Sequence, residues 1–503
     1  MKNHDFKQFP LGGRRCALAA LLGLAVAGCA VGPDFHPPAP PSGLRDDSYT
    51  PTPMPSDTAS APVPGGAAQH LAMGQDIPAL WWTVFRSPAL DRLVRSALER
   101  NPTLAAAEAA LRQAQENYNA ERGGRAFPAV NAQLGAAREH LADQGKTVNG
   151  VFSLYNASVN VSYAPDAFGA TRRVLEGAQA AIDYQRFQLE AAQLALTANV
   201  VTAAIREASL RAQLQATGEV LAAQRQQLDV IDKQLQAGAV ARAVLLTQRS
   251  QVAQTAATVP PLEKALAQSR HALSVLAGQL PGTPDLPQFE LAALALPEQL
   301  PVSLPSALAR QRPDVRASEA LLHQASAQVG VATANLYPQI TLSASYGAAG
   351  ASPHELFQAN NVFWNLAAGL TQPLFNGGAL TAKRRAAEAA YDAAAAQYRA
   401  TVLAAFQEVA DSLRALEFDA NALQAQADAE ALAAETLALA KRQYQLGAIS
   451  YLSLLDAQRS YQQSHVALAQ AQAARYADTA ALFQALGGGW WNRNRTQGGA
   501  SAP

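Results

Sequence analysis

The chain changes its hydrophobic period along its length. From about Gly169 to Leu235 the pattern is helical, with Leu210, Leu214, Leu221, Leu228, Ile231 and Leu235 on 4-3 steps and Thr217 and Gln224 at the two remaining seam positions. Val402, Phe406, Val409, Leu413 and Leu416 take the same steps later in the chain. A sustained 3.5-residue period predicts a coiled-coil seam. A helix of this length reaches about 100 Å at 1.5 Å per residue. Between the helical stretches the period becomes 2. Tyr155, Ala157, Val159, Val161 and Tyr163 alternate with Asn and Ser, and Ile340, Leu342, Ala344 and Tyr346 alternate with Thr, Ser and Gly. Trp364, Leu366, Ala368 and Leu370 alternate in the same way, and 129–138 does so more weakly through Val130, Leu134 and Ala136. These predict four strands with one apolar and one polar face. Pro128, Pro165, Pro338 and Pro373 sit at the four helix–strand junctions, because proline continues neither a ladder nor a helix interior.

The whole pattern is written twice, at a period of about 210 residues. Asn101-Pro102 with TLAAAEAALRQA matches Arg312-Pro313 with DVRASEALLHQA, and Phe127-Pro128 matches Tyr337-Pro338. Further on, LQAGAVARAVLL (235–246) matches YQLGAISYLSLL (444–455). The reading is a first structural repeat over 79–300 and a second over 301–491, each a helix, two strands and a long helical hairpin. The turns Gly238-Ala239-Val240 and Gly447-Ala448-Ile449 form the hairpin tips, where Gly suits a helix C′ position.

The first 28 residues read as a signal: Lys2, Lys7, Arg14 and Arg15 precede an apolar run from Ala17 to Ala27, too short to span a bilayer. The run ends Val26-Ala27-Gly28-Cys29, which resembles a bacterial lipobox with Cys29 as the lipidated first residue of a mature chain of 503 − 28 = 475 residues. Ala30, where Asp would retain the protein at the inner membrane, favours the outer membrane. Residues 29–78 read as a Pro-rich linker with no core of its own, and 492–503 as a disordered tail.

Charge and cysteine exclude several classes. The 39 Lys and Arg balance 39 Asp and Glu, with no basic block for nucleic acid. Two Cys and eight scattered His make no disulfide framework and no metal site. No catalytic constellation or cofactor motif stands out, and the chain reads as a non-enzyme. Gly145-Lys146-Thr147 ends like a phosphate loop, but His140 stands where the first Gly belongs.

The four alternating strands fit either a sheet half-buried on a soluble core or a membrane sheet. The membrane reading is favoured by Tyr and Trp near strand ends, and by a membrane address in a chain without apolar helices of about 20 residues. Four strands leave open edges that hydrocarbon cannot satisfy, so the sheet closes between copies. Two copies give a filled eight-stranded barrel, and three give twelve strands and a lumen.

The segments ALWWTVFRSPALDRLVRSALERNPTL (79–104), LPSALARQRPDV (304–315), LYPQITLSASYG (336–347), FQEVADSL (406–413), YLSLLDAQRS (451–460) and ALGGGWW (485–491) resemble outer-membrane efflux factors of the TolC/OprM type, in the NodT-like lipoprotein branch. The resemblance implies an α+β membrane protein, a homotrimer with a twelve-stranded β-barrel and a periplasmic α-barrel of long helices. It implies a lipid-anchored exit duct of a tripartite efflux pump for small toxic compounds, gated at its periplasmic end. The implied partners are a periplasmic adaptor, which meets the tips Gly238, Ala239, Val240, Gly447, Ala448 and Ile449, and an inner-membrane pump of the resistance-nodulation-division class. It also implies that Leu452, Asp456 and Arg459 line the periplasmic aperture, with Thr247 at the corresponding place in the first repeat. The alternatives are a type I protein-secretion duct, a periplasmic adaptor lipoprotein and a structural lipoprotein without a channel.

Overall fold

The computed structural model describes residues 31–39, 49–141, 150–283 and 286–493. Cys29 and the Gly145-Lys146-Thr147 loop lie outside the described residues. In chain order the elements are β1 (His70–Met73), α1 (Pro88–Arg100), α2 (Pro102–Ala126), β2 (Ala129–Leu141), β3 (Gly150–Tyr163), α3 (Ala170–Gln236), α4 (Arg242–Ala257) and α5 (Val259–Leu276). There follow β4 (Gln299–Val302), α6 (Pro305–Gln311), α7 (Pro313–Ala334), β5 (Gln339–Gly350), β6 (Val362–Thr371), α8 (Ala379–Gln445) and α9 (Tyr451–Ala485). Each of the four junction prolines falls between a helix and a strand.

The chain divides into two units. Unit one draws on the described parts of Met1–Pro38, Ala110–Gln185 and Ser318–Tyr398. It holds an antiparallel sheet in the order β2-β3-β5-β6. The register aligns Val161 with Val130 and Ala344, and Ala344 with Leu366, so the alternating apolar residues of all four strands share one face. That face is not covered by this chain on β6, where Trp364 and Leu366 are both 76% exposed. Asn131, Asn160, Ser345 and Asn365 align on the opposite face. Neither outer edge of the sheet, on β2 or on β6, has a partner strand among the described residues. The strands run longer than their alternation, β2 to Leu141 and β3 from Gly150, because cross-strand pairing carries the ladder past the patterned residues.

Unit two draws on the described parts of Ala39–Ala109, Arg186–Ala317 and Arg399–Pro503. It contains most of α3 and α8, each 67 residues long. Val402, Ala405, Val409, Leu413, Leu416, Ala420 and Leu423 are buried along α8, and on the predicted seam of α3 Leu210, Thr217, Leu221, Gln224 and Ile231 are buried while Leu214, Leu228 and Leu235 are half-buried. The small Ala405 and Ala420 let helices approach closely there. The returning helices of the two hairpins differ. α9 is continuous for 35 residues, whereas Pro260 and Pro261 split the first return into α4 and α5 at Thr258. Proline lacks the N–H and its ring clashes with the carbonyl four residues back.

Three expectations are corrected. The 29–78 stretch is not a free linker where it is described. Val31 N–H donates to Phe168 O at 3.2 Å, and Phe35 stacks on His323 with ring centroids 4.3 Å apart, both within unit one. In unit two, β1 pairs in parallel with β4, and Arg475, 0% exposed, donates to Thr58 Oγ1, Ala59 O, Ala67 O and Gln69 Oε1 at 2.9–3.3 Å. A buried guanidinium needs acceptors, and this segment supplies them. Second, the boundary between 300 and 301 falls inside β4, a strand that the alternation had not marked. Third, the tail does not begin as disorder at 492: Asn492 Nδ2 donates to Ile77 O at 2.8 Å and Arg493 pairs with Glu190 at 2.6 Å. Residues 494–503 lie outside the described residues.

Candidate functional site

The two hairpin tips have the same backbone. Gly238 and Gly447 both take φ +73°, the left-handed region that suits glycine. Ala239 N–H donates to Gln234 O at 2.8 Å and Gly238 N–H to Leu235 O at 2.9 Å. Ala448 and Gly447 repeat these bonds to Gln443 O and Tyr444 O. This is the 6→1 and 5→2 pair of a Schellman cap, which closes each long helix. The returning helices then start differently. Ser450 Oγ accepts from Ser453 N–H at 3.2 Å and caps α9, whereas Ala241 heads α4 without a side-chain cap.

Tip residues divide by exposure. Gly238, Ala239, Gly447 and Ala448 are exposed. Val240 and Ile449 turn inward and pack against a cluster of Ile231, Leu245, Leu437, Tyr451, Leu454 and Leu455. That cluster draws on both hairpins, so it fixes the tips of α3–α4 and α8–α9 to one another within unit two.

Leu452, Asp456 and Arg459 are spaced 4 and 3 apart and share one exposed face of α9. Leu452 is 65% exposed. Asp456 is exposed and has no ion pair or hydrogen bond among the described residues. Thr247, at the corresponding place on α4, is half-buried, and its hydroxyl donates to Ala243 O at 2.9 Å. The two hairpins therefore present different chemistry at matching places.

Arg459 does more than face solvent. Its Nε donates to Gln251 Oε1 on α4 at 2.8 Å. Three further polar ties accompany it between α9 and the first hairpin. The Tyr451 hydroxyl donates to Gln248 Oε1, Thr255 Oγ1 donates to Gln462 Oε1 at 3.4 Å, and Gln470 Nε2 donates to Gln213 Oε1 at 3.0 Å. Gln248, Gln251 and Thr255 are buried. Burial, with Tyr444 beside it, pushes the Tyr451 phenol above its ordinary range, so it remains a donor at any physiological pH. Sequence reasoning found Arg459 and missed its companions. Their signal was available: Leu245, Gln248 and Thr255 form a helical stripe in which polar side chains occupy seam positions.

No group of three or more His, Cys, Asp and Glu that could hold a metal occurs among the described residues. No described helix is long and apolar enough to cross a membrane, which says nothing of a β-barrel.

The outer membrane efflux protein family model matches residues 93–279 and again residues 304–488. The chain is 32% identical over 451 residues to the pyoverdine export outer membrane protein OpmQ of Pseudomonas putida, covering 87% of this chain and 94% of that protein. It is 30% identical over 473 residues to the solvent efflux pump outer membrane protein SrpC of Pseudomonas putida, covering 93% and 97%. Among solved structures, the outer-membrane channel OprN superposes with a TM-score of 0.82 at 29% identity, over 92% of this chain and 100% of that one. The MtrE outer membrane channel of Neisseria gonorrhoeae, in its open state, superposes with a TM-score of 0.79 at 28% identity, over 92% and 99%.

Proposed function

Because this chain belongs to the outer membrane efflux protein family, we propose that it is the exit duct of a tripartite pump, carrying small toxic compounds from periplasm to exterior. The observation that carries this reading is the sheet of unit one, apolar along one face of all four strands and, among the described residues, unpaired at both edges. Unpaired backbone groups in hydrocarbon cost several kcal/mol each, so the β2 edge of one copy pairs with the β6 edge of the next. Three copies close a twelve-stranded barrel with Asn, Ser and Thr lining a wet interior. Four helical stretches per chain, α3, α4–α5, α8 and α9, give the trimer the walls of a periplasmic tube. The duplicated element order, matched twice by one family model, supports a chain built from two copies of one unit.

The anchor reading is consistent with this arrangement. Val31, two residues after Cys29, bonds to Phe168 between β3 and α3, where Phe168 stacks on Tyr337 at 5.1 Å.

In unit two, Leu452, Asp456 and Arg459 form the aperture and the exposed tip residues meet a periplasmic adaptor. Three Asp456 carboxylates around a threefold axis attract cations and repel one another. The polar ties from α9 to the first hairpin hold the aperture narrow. Energy comes from an inner-membrane pump, and duct walls this generic leave substrate choice to it.

The test is single-channel recording of the purified protein in a planar bilayer, wild type against Asp456→Ala. Small or rare current steps in wild type, and larger or differently cation-selective steps in the variant, are expected. Absence of conductance from inserted trimers would refute the duct.

A further inference from the structure

Behind the tips, unit two holds a half-open cavity of about 680 Å³ between α3, α8 and α9. Its walls include Val220, Leu437 and Leu454 together with the rings of Tyr444 and Tyr461. Cavities of 300–1,000 Å³ with apolar, aromatic walls and a few convergent polar groups are the usual setting of small-molecule sites.

The polar groups are the unusual feature. Gln224, Gln234 and Gln458 line the cavity. Gln224 is 2% exposed and Gln458 7% exposed. Among the described residues, neither Nε2 nor Oε1 of Gln224 has a hydrogen-bond partner, nor does Oε1 of Gln234 or of Gln458. Neighbouring glutamines do not share this condition: Gln248 and Gln251, equally buried, are both bonded across helices. A buried amide without partners is destabilising, and here the whole Gln224 amide and the carbonyl oxygens of Gln234 and Gln458 converge on one space.

We propose that this cavity is a binding site for a drug-sized planar aromatic molecule bearing an amide or phenol that both donates and accepts hydrogen bonds. The chemistry follows from the walls. Gln224 offers a donor and an acceptor side by side, which a carboxamide or a phenol–amide pair satisfies together. Gln234 and Gln458 offer acceptors for a second N–H or O–H. Tyr444 and Tyr461 supply ring faces, the latter stacked on His465 with centroids 5.3 Å apart. Lys441 and Glu219 both line the cavity, so the site favours neither an anion nor a cation. A purely hydrocarbon ligand leaves the amides unpaired. The site joins α3 of the first hairpin to α8 and α9 of the second, so its occupant touches both hairpins at once.

The probe is salicylanilide, two aromatic rings joined by an amide with an adjacent phenol. Binding to the full chain in lipid nanodiscs is measured by isothermal titration calorimetry, with empty nanodiscs as the blank. One saturable site per chain is expected. Gln224→Leu and Gln458→Leu each weaken it at least tenfold, while Gln254→Leu, on the exposed face of α4, leaves it unchanged. Both leucine variants are expected to melt no lower than wild type, because the orphaned amide is gone, so lost binding does not reflect lost fold. No saturable binding to wild type, or equal affinity in wild type and both variants, would overturn the proposal and make the glutamines spacers of the helix seam.

Discussion

Replacing Arg459 with Ala tests whether the ties between α9 and the first hairpin hold the aperture narrow. The substitution removes one hydrogen bond, 2.8 Å from the guanidinium to Gln251 Oε1, and strands an acceptor on a residue only 5% exposed. A hydrogen bond from a charged group contributes about 1.5–3 kcal/mol, and the lower end applies because Arg459 itself is exposed. At ~1.5 kcal/mol per chain the open-to-closed ratio rises about tenfold if each chain moves independently. If three chains move together, the loss is about 4.5 kcal/mol and the rise is on the order of a thousandfold. The assay is open probability in a planar bilayer at fixed voltage and salt. Gln251→Leu should produce a similar rise, and the double variant should add little to either single change, because both remove the same bond. Unchanged open probability in Arg459→Ala, or full additivity in the double variant, would refute the reasoning.

Two further outcomes concern the body that supports the aperture. Arg475→Ala leaves four acceptors of the 58–69 segment without their donor, which costs about 3 kcal/mol or more for a buried charge network. Limited proteolysis should then cut within that segment at least tenfold faster than in wild type; an unchanged cleavage rate would mean the segment is held by other contacts. Burial, and then the hydrogen bond with and charge of Asp419 beside it, push the Asp478 carboxyl up to about 8, against the opposing charge of Arg475. The native state therefore keeps a proton that the unfolded chain gives up near the ordinary value of 3.8, so unfolding free energy falls as pH rises from about 4 to about 8 and levels beyond. Asp478→Asn should flatten that part of the melting-temperature profile; a slope equal to wild type between pH 5 and 8 would assign it to another group.

Local pattern determined a good deal of this protein. The 4-3 steps marked α3 and α8, the period-2 stretches marked all four strands of the large sheet, and proline marked every switch between them. These features are legible because the faces of a helix or strand are set by neighbours two to four residues apart. The tip glycines were legible for the same reason, being local chemistry. What the tertiary structure alone decided was partnership. Arg475 reaches acceptors more than 400 positions away, and the Pro-rich segment that supplies them has no period to betray it. Arg459 was visible as an exposed charge, but its bond to Gln251 crosses 208 positions. Gln224 read as an imperfection of the seam, and only the convergence of α3, α8 and α9 made it an unpaired amide in a cavity. A sequence states which face of each element is apolar. Which faces meet, and which polar atoms lack a partner there, is decided when distant segments pack.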